Sequence, residues 1–436
     1  MNEVLRFKDN PYPEVENLLT NDPTSKSEAV YVPSVSPGFA IAAHEENWTR
    51  LPDGVTPKEM NFLDPGNKLF RLSHVMSSAG QVLDKKRPCI LTERDRNWTL
   101  LIGDSGGYQI ANSGLQISGD DFREKTLRWL ESNADVAMTL DVPTGPVLTN
   151  KNYKFKTSKD CLTATLENLE YFQKHRKNRE LIFLNVLQGN STTEADAWYN
   201  AVKEYDFEGW AFAGKLRNNF LSLCRRIIKM ADEGQIQDKK WIHVLGTNEL
   251  GTGICLTALQ RAINLYINPK LRISYDTSTP FRMLSWRQVY SVPRFDRDKM
   301  VLPAVDMQDD PEYAGSELRW AWPSPFGNRL RMKDIVVSQG RGKPVGIDAA
   351  GNHFLAYHNL GALCDSVALA NRIFDCTGLT HQHRIAMPVG SAVEAIYASI
   401  KSGSIAVVEK YRNTFERLRK ETPAETEDDQ DRDIWN

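Results

Sequence analysis

Leu181-Ile182-Phe183-Leu184-Asn185-Val186-Leu187 is an almost unbroken apolar run. A strand with one wet face alternates apolar and polar side chains. This one does not, so it reads as a strand covered on both faces, as in a parallel sheet packed between helices. Before it, Ser158 to Lys177 has helical periodicity, and after Gln188-Gly189-Asn190 so does Thr193 to Tyr205. The alternation continues in both directions. Upstream, Trp98 to Ile102 and Val136 to Leu140 read as strands, with a helix over Asp121 to Asn133. Downstream, Gly209–Ala213, Trp241–Leu245 and Leu271–Tyr275 are strands, followed by helices over Asn219–Asp232, Leu250–Tyr266 and Phe281–Tyr290. Six βα units in succession predict an α/β protein, a (β/α)8 TIM barrel. A doubly wound sheet has the same periodicity.

The flanks read differently. Residues 1–85 are rich in proline and turn residues and predict an N-terminal extension packed on the barrel, with Ala29-Val30-Tyr31-Val32 in a hairpin capping its bottom. The barrel is expected over 86–418, including an α-rich C-terminal insertion or accessory region at about 300–385. The acidic, proline-containing 419–436 is expected to be a disordered tail.

Composition narrows the class. The 436 residues are 41% hydrophobic and 25% charged, as in ordinary globular proteins. No apolar run approaches the ~18 residues needed to span a bilayer, and Met1 to Asn10 lacks the apolar core of a signal peptide. A cytoplasmic protein without a membrane partner is expected. The six cysteines form no C-x-x-C pair, which argues against a disulfide framework. A net charge of −2 speaks against a dedicated non-specific nucleic-acid binder, although it leaves room for a local basic face.

Chemistry concentrates where strands end. Asp104 follows the strand at 98–102, Asp141 ends that at 136–140, and Gln188 follows the apolar run. Gly214, Gly246 and Asp276 close the next three strands. In a barrel these positions converge on one mouth, the face on which such enzymes build their sites. Three carboxylates there suit substitution at a sugar carbon: one attacks C1′, another gives a proton to the leaving group and takes one back. Crowding of like charge raises one pKa and keeps that group protonated. A carboxylate, an amide and backbone beside glycine suit the amide and amino edge of a purine. The plain alternative is that each aspartate caps a helix and each glycine makes a turn.

These residues carry a resemblance. Asp104-Ser105-Gly106-Gly107-Tyr108-Gln109 resembles the Asp-Ser-Gly-Gly-Phe-Gln signature of the tRNA-guanine transglycosylase family. Ala134 to Asp141, Val186-Leu187-Gln188-Gly189, Gly209 to Gly214 and His243 to Gly246 resemble further family motifs, in order. Tyr275-Asp276 with Pro280-Phe281-Arg282 resembles its Phe-Asp-Cys…Pro-Thr-Arg. The likeness covers about residues 85–290. It implies Asp276 as the nucleophile at C1′ and Asp104 as general acid/base. Ser105, Gly106, Asp141, Gln188, Gly214 and Tyr108 would then hold the base.

Departures from the family shape the expected substrate. Met300 to Lys343 lacks the C-x-C-x-x-C zinc motif found after the nucleophile in the bacterial tRNA enzymes. A different zinc set is conceivable from His353, His358, Cys364, Cys376, His381 and His383, of which a structural zinc on Cys364, Cys376, His381 and His383 is one reading and satisfied structural roles the other. No cofactor is implied for the chemistry itself. Asp141-Val142-Pro143-Thr144 resembles the archaeal branch, which takes 7-cyano-7-deazaguanine. Ala213-Gly214-Lys215-Leu216-Arg217 lacks the glutamate that would face an aminomethyl cation. With no C-terminal RNA-binding module, the chain looks like the phage and bacterial branch that places 7-deazaguanines in DNA, where they shield it from restriction. That implies DNA as partner, the host cytoplasm if phage-encoded, and partner proteins for access to the duplex. Lys215, Arg217 and Arg282 are candidates for phosphate contact. Arg329, Arg331, Lys333, Arg341 and Lys343 read as solvated charges and Trp286 as core. Three other readings stay open: a tRNA-guanine transglycosylase, a catalytically silent barrel that binds nucleic acid, and a sugar-cleaving hydrolase.

Overall fold

The computed structural model describes residues 28–45, 48, 50–79, 87–107, 120–214, 217, 219–338, 345–376 and 384–421. Short, almost wholly buried segments form eight strands. They are β1 (Val30–Pro33), β2 (His74–Ser78), β3 (Leu100–Asp104), β4 (Val136–Met138), β5 (Ile182–Leu187), β6 (Gly209–Phe212), β7 (Trp241–Val244) and β8 (Arg272–Thr277). Neighbours from β2 to β8 pair in parallel in chain order, and β1 pairs with β8. A parallel bridge between Ser34 and Met76, with Val35 N donating to Met76 O at 2.9 Å, joins β1 to β2. Sequential order brought round on itself makes a (β/α)8 barrel; a doubly wound sheet would reverse direction at a switch point.

The helices are α1 (Pro37–His44), α2 (Asp120–Asn133), α3 (Ser158–His175), α4 (Thr192–Val202), α5 (Phe220–Asp232), α6 (Leu250–Tyr266) and α7 (Ala349–Asp375). Several start on the residues expected to cap them. Thr157 forms a capping box with Asp160, Ser191 accepts from Glu194 N, and Asn219 accepts from Ser222 N. Helix α6 is buried almost all round, because α8 (Met387–Ser402) packs over its outer side. No helix among the described residues is long and apolar enough to cross a membrane.

The expected boundary at residue 86 does not hold. Strands β1 and β2 lie within the first 85 residues, and the Ala29–Val32 run is barrel wall, not a capping hairpin. Both strands are short, and α1 spans only eight residues, so no βα rhythm betrays them. The helix expected over Phe281–Tyr290 is also absent. One turn (Thr279–Arg282) and a 3-10 turn (Met283–Trp286) end at Arg287, whose φ is 58°, and Gln288–Tyr290 pairs antiparallel with Ala304–Asp306. This insertion is pinned to α7. His358 Nε2 lies 2.9 Å from Tyr290 O and its Nδ1 lies 2.9 Å from Ser324 Oγ, while Asn359 accepts from Tyr290 N and donates to Pro280 O.

Register fixes what lies inside the barrel. Trp241 and His243 share their face with Gly209 and Ala211 of β6 and with Arg272 and Ser274 of β8. Gly209 makes room for its neighbours: a Cβ there would lie 2.2 Å from Trp241 O and 2.6 Å from Leu184 Cδ2. Gly209→Ala is expected to lower stability by about 3 kcal/mol, measured by denaturant unfolding. An unchanged midpoint would mean that β6 stands further from β7. At the opposite end, Arg94–Asp135, Arg176–Glu208 and Lys239–Asp206 pairs ring the strand starts. Asp135 and Glu208 also accept from Leu101 N and Phe183 N, a structural role typical of that face.

Candidate active site

Strands β3 and β8 run slightly further than the sequence suggests, so Asp104 is the last residue of β3 and Asp276 lies within β8. Between them round the ring stand β2 and β1. Asp276 is 7% exposed, and its Oδ1 accepts from Gly246 N at 2.9 Å and faces His243 Nε2 at 3.2 Å. Gly246 has φ 62°, which turns its N–H toward the carboxylate. A Cβ there would lie 3.3 Å from the Arg217 guanidinium, so Arg217 packs against this turn at the mouth.

Asp104 accepts from Gly106 N at 3.2 Å and from the Ser78 hydroxyl of the neighbouring strand. Burial raises its pKa first, and the nearby Asp276 charge raises it further; the hydrogen bonds from Ser78 and Gly106 oppose the rise. Asp141 lies just past β4, buried, with Oδ2 accepting from Gln188 Nε2 at 2.7 Å. Burial pushes its carboxyl up to about 7, with Asp104 adding to the rise. The other end of the Gln188 amide rests on Gly214, where a Cβ would lie 3.0 Å from Gln188 Oε1. A Cβ on Gly107 would lie 3.2 Å from Asp141 Oδ1. Ser105 is fully buried, with a hydroxyl that has no hydrogen-bond partner among the described residues. Thr247 Oγ1, beside Gly246, is in the same state.

Asp104, Asp141, Gln188, Gly214 and Asp276 therefore converge on one mouth, with Ser105 and Gly106 beside Asp104. Tyr108 and Lys215 lie outside the described residues. Arg282 stands six residues beyond Asp276, its guanidinium 5.4 Å from the centre of the Trp286 ring. Trp286 is 40% exposed, so the expectation that it packs in the core is overturned. Trp286 is the last residue of the 3-10 segment, which the left-handed turn at Arg287 ends. Arg331 and Lys333 pair with Glu317 and Asp53 at the surface, while Arg341 and Lys343 lie outside the described residues.

The proposed zinc set does not assemble. Cys364 sits within α7 and Cys376 just past its end. At ~1.5 Å per residue the two are roughly 18 Å apart along the helix, far beyond what one ion spans. Cys364 lies near Tyr31 and Tyr275 in the core. Both nitrogens of His358 are engaged, and burial lowers its pKa to about 4. His381 and His383 lie outside the described residues.

Sequence reasoning missed His243, Ser274 and Ser78 as parts of the site. A signal existed: Trp241-x-His243 and Ser274-x-Asp276 share the period of two that puts side chains on one face of a strand.

Fold and site together define the class: a (β/α)8 barrel with two buried carboxylates, a third half-buried, and a glutamine amide at the C-terminal ends of its strands. No protein-family model and no curated protein matches the sequence.

Proposed function

We propose that this barrel is a base-exchange transglycosylase that replaces guanine in DNA with 7-cyano-7-deazaguanine. The observation that carries the reading is the meeting of Asp104 and Asp276, 172 residues apart in sequence, beside the Asp141–Gln188 pair. Two carboxylates in different surroundings divide the labour. Gly246 N–H and His243 Nε2 meet one oxygen of Asp276, and burial raises the Asp104 pKa, which favours its acid form.

Asp276 attacks C1′ of the deoxyribose as the C1′–N9 bond breaks. The electron pair leaves with guanine, which takes its proton from Asp104. The incoming base then gives its own proton to the Asp104 carboxylate. Its nitrogen attacks C1′, the bond to Asp276 breaks, and the second glycosidic bond forms on the original face. Asp141, Gln188 and the backbone at Gly214 present acceptors and donors to the amide and amino edge common to both bases. To reach the mouth, the nucleotide leaves the duplex at a cost of a few kcal/mol. Arg217 and Arg282 would meet flanking phosphates, and partner proteins would aid access to the duplex.

The test is incubation of the protein with DNA and labelled 7-cyano-7-deazaguanine, followed by digestion to nucleosides. Label in deoxyribonucleosides is the expected result. Label in tRNA alone would move the assignment to a tRNA-guanine transglycosylase. Tight binding of nucleic acid without incorporation would favour a silent barrel.

A further inference from the structure

The exchange described above uses the carboxylate of Asp276 but not the line of polar groups behind it. Trp241 and His243 point into the barrel from β7, Ser274 and Asp276 from β8, and the first three are at most 1% exposed. Trp241 Nε1 donates to Ser274 Oγ at 2.7 Å. Ser274 Oγ lies 2.7 Å from His243 Nδ1, and His243 Nε2 lies 3.2 Å from Asp276 Oδ1.

The order of donors along this line follows from leaving no buried donor without an acceptor. An indole N–H can only donate, so one lone pair of Ser274 Oγ is spent on Trp241. Among the described residues His243 Nδ1 is the only other partner of that oxygen, so the buried hydroxyl proton is satisfied only when it goes to His243 Nδ1, which becomes an acceptor. A neutral imidazole that accepts at Nδ1 carries its hydrogen on Nε2, directed at Asp276. Gly246 N–H reaches the same oxygen at 2.9 Å.

We infer that His243 is a positioning residue, a neutral imidazole locked by Ser274 in the Nε2–H form, which with Gly246 clamps Asp276 Oδ1 and leaves Oδ2 as the oxygen that bonds to C1′. The last clause rests on the transglycosylase reading; the tautomer lock does not. A carboxylate held by one oxygen cannot rotate about its Cβ–Cγ bond, so Oδ2 keeps its aim through both displacements. Loss of the clamp is a loss of alignment, worth ~10–100-fold in rate. Base affinity should not follow, since the base rests on Asp141, Gln188 and Gly214.

Three variants and one spectrum test this. His243→Leu removes the donor. His243→Gln keeps an N–H at almost the same reach and cannot titrate. Ser274→Ala frees the ring to change tautomer. His243→Leu is expected to lower kcat ~10–100-fold with KM for the base unchanged, and His243→Gln to restore most of the loss. Independently of any substrate, the protein labelled with [15N]histidine should show an imidazole with Nε2–H and unprotonated Nδ1. That signal should vanish in His243→Gln and become a tautomer mixture in Ser274→Ala. A wild-type imidazolium or Nδ1–H form overturns the proposal. So does a His243→Gln enzyme as slow as His243→Leu when both melt like the wild type. If the wild type exchanges no base, the transglycosylase reading fails and the spectrum alone decides the tautomer lock.

Discussion

Asp276→Asn is expected to abolish exchange, lowering the rate by at least ~10⁴-fold, in line with the loss of a covalent nucleophile. An amide presents no negative oxygen to C1′, so the adduct between protein and nucleic acid should vanish with the activity. Nucleic-acid binding should survive, because Arg217 and Arg282 are untouched. The fold should survive too, because an asparagine carbonyl can still accept from Gly246 N and His243 Nε2. The measurement is a denaturing gel that separates free DNA from DNA bonded to protein, beside a binding titration on the same variant. An adduct that persists would move the nucleophile elsewhere, with Asp104 the first group to examine.

Asp141→Asn is expected to stabilise the protein, with a pH signature that identifies the group. Burial lifts the Asp141 pKa from its ordinary 3.8 to about 7, so the folded chain holds this proton more tightly than the unfolded one. Stability from that proton is complete below pH ~4 and is lost as the pH rises toward 7. Asparagine keeps the neutral, hydrogen-bonded state at every pH. The variant should therefore match the wild type at pH ~4 and exceed it by up to ~4 kcal/mol above pH ~7, from ~1.36 kcal/mol per pH unit. Denaturant midpoints at the two pH values measure the gap. A gap independent of pH would mean that Asp141 ionises freely in the folded protein. Exchange should fall in the same variant through a higher KM for the base, since one acceptor of the base-reading pair becomes a donor. Stability and activity then move in opposite directions, as expected where a site stores unfavourable burial.

Much of this molecule was legible because chemistry and geometry share a period. The run at Leu181–Leu187 could only be a strand buried on both faces, and the strand-end residues Asp104, Asp141, Gln188 and Asp276 follow from the rhythm that it starts. What escaped did so for physical reasons. Strands β1 and β2 are separated by a stretch in which only α1 is a sustained helix, so their pairing with β8 and β3 is a long-range fact with no local trace. The segment after Asp276 carries apolar residues at helical intervals, yet Arg287 takes a left-handed turn and Gln288–Tyr290 finds a strand partner. Tertiary pairing overrides local preference there. The chain from Trp241 to Asp276 was hidden because its members read as core residues until the register of β7 against β8 aligns them.

The seam between β1 and β8 has a consequence for how the chain is made. Strand β1 leaves the ribosome early, but its partner β8 ends at Thr277, ~240 residues later. At ~5–20 residues per second, the edge of β1 waits roughly 12–50 s for that partner. Through that interval a buried wall strand is an open template for other chains. Yield of active protein should therefore depend more on temperature and chaperone supply during synthesis than on the stability of the finished ring.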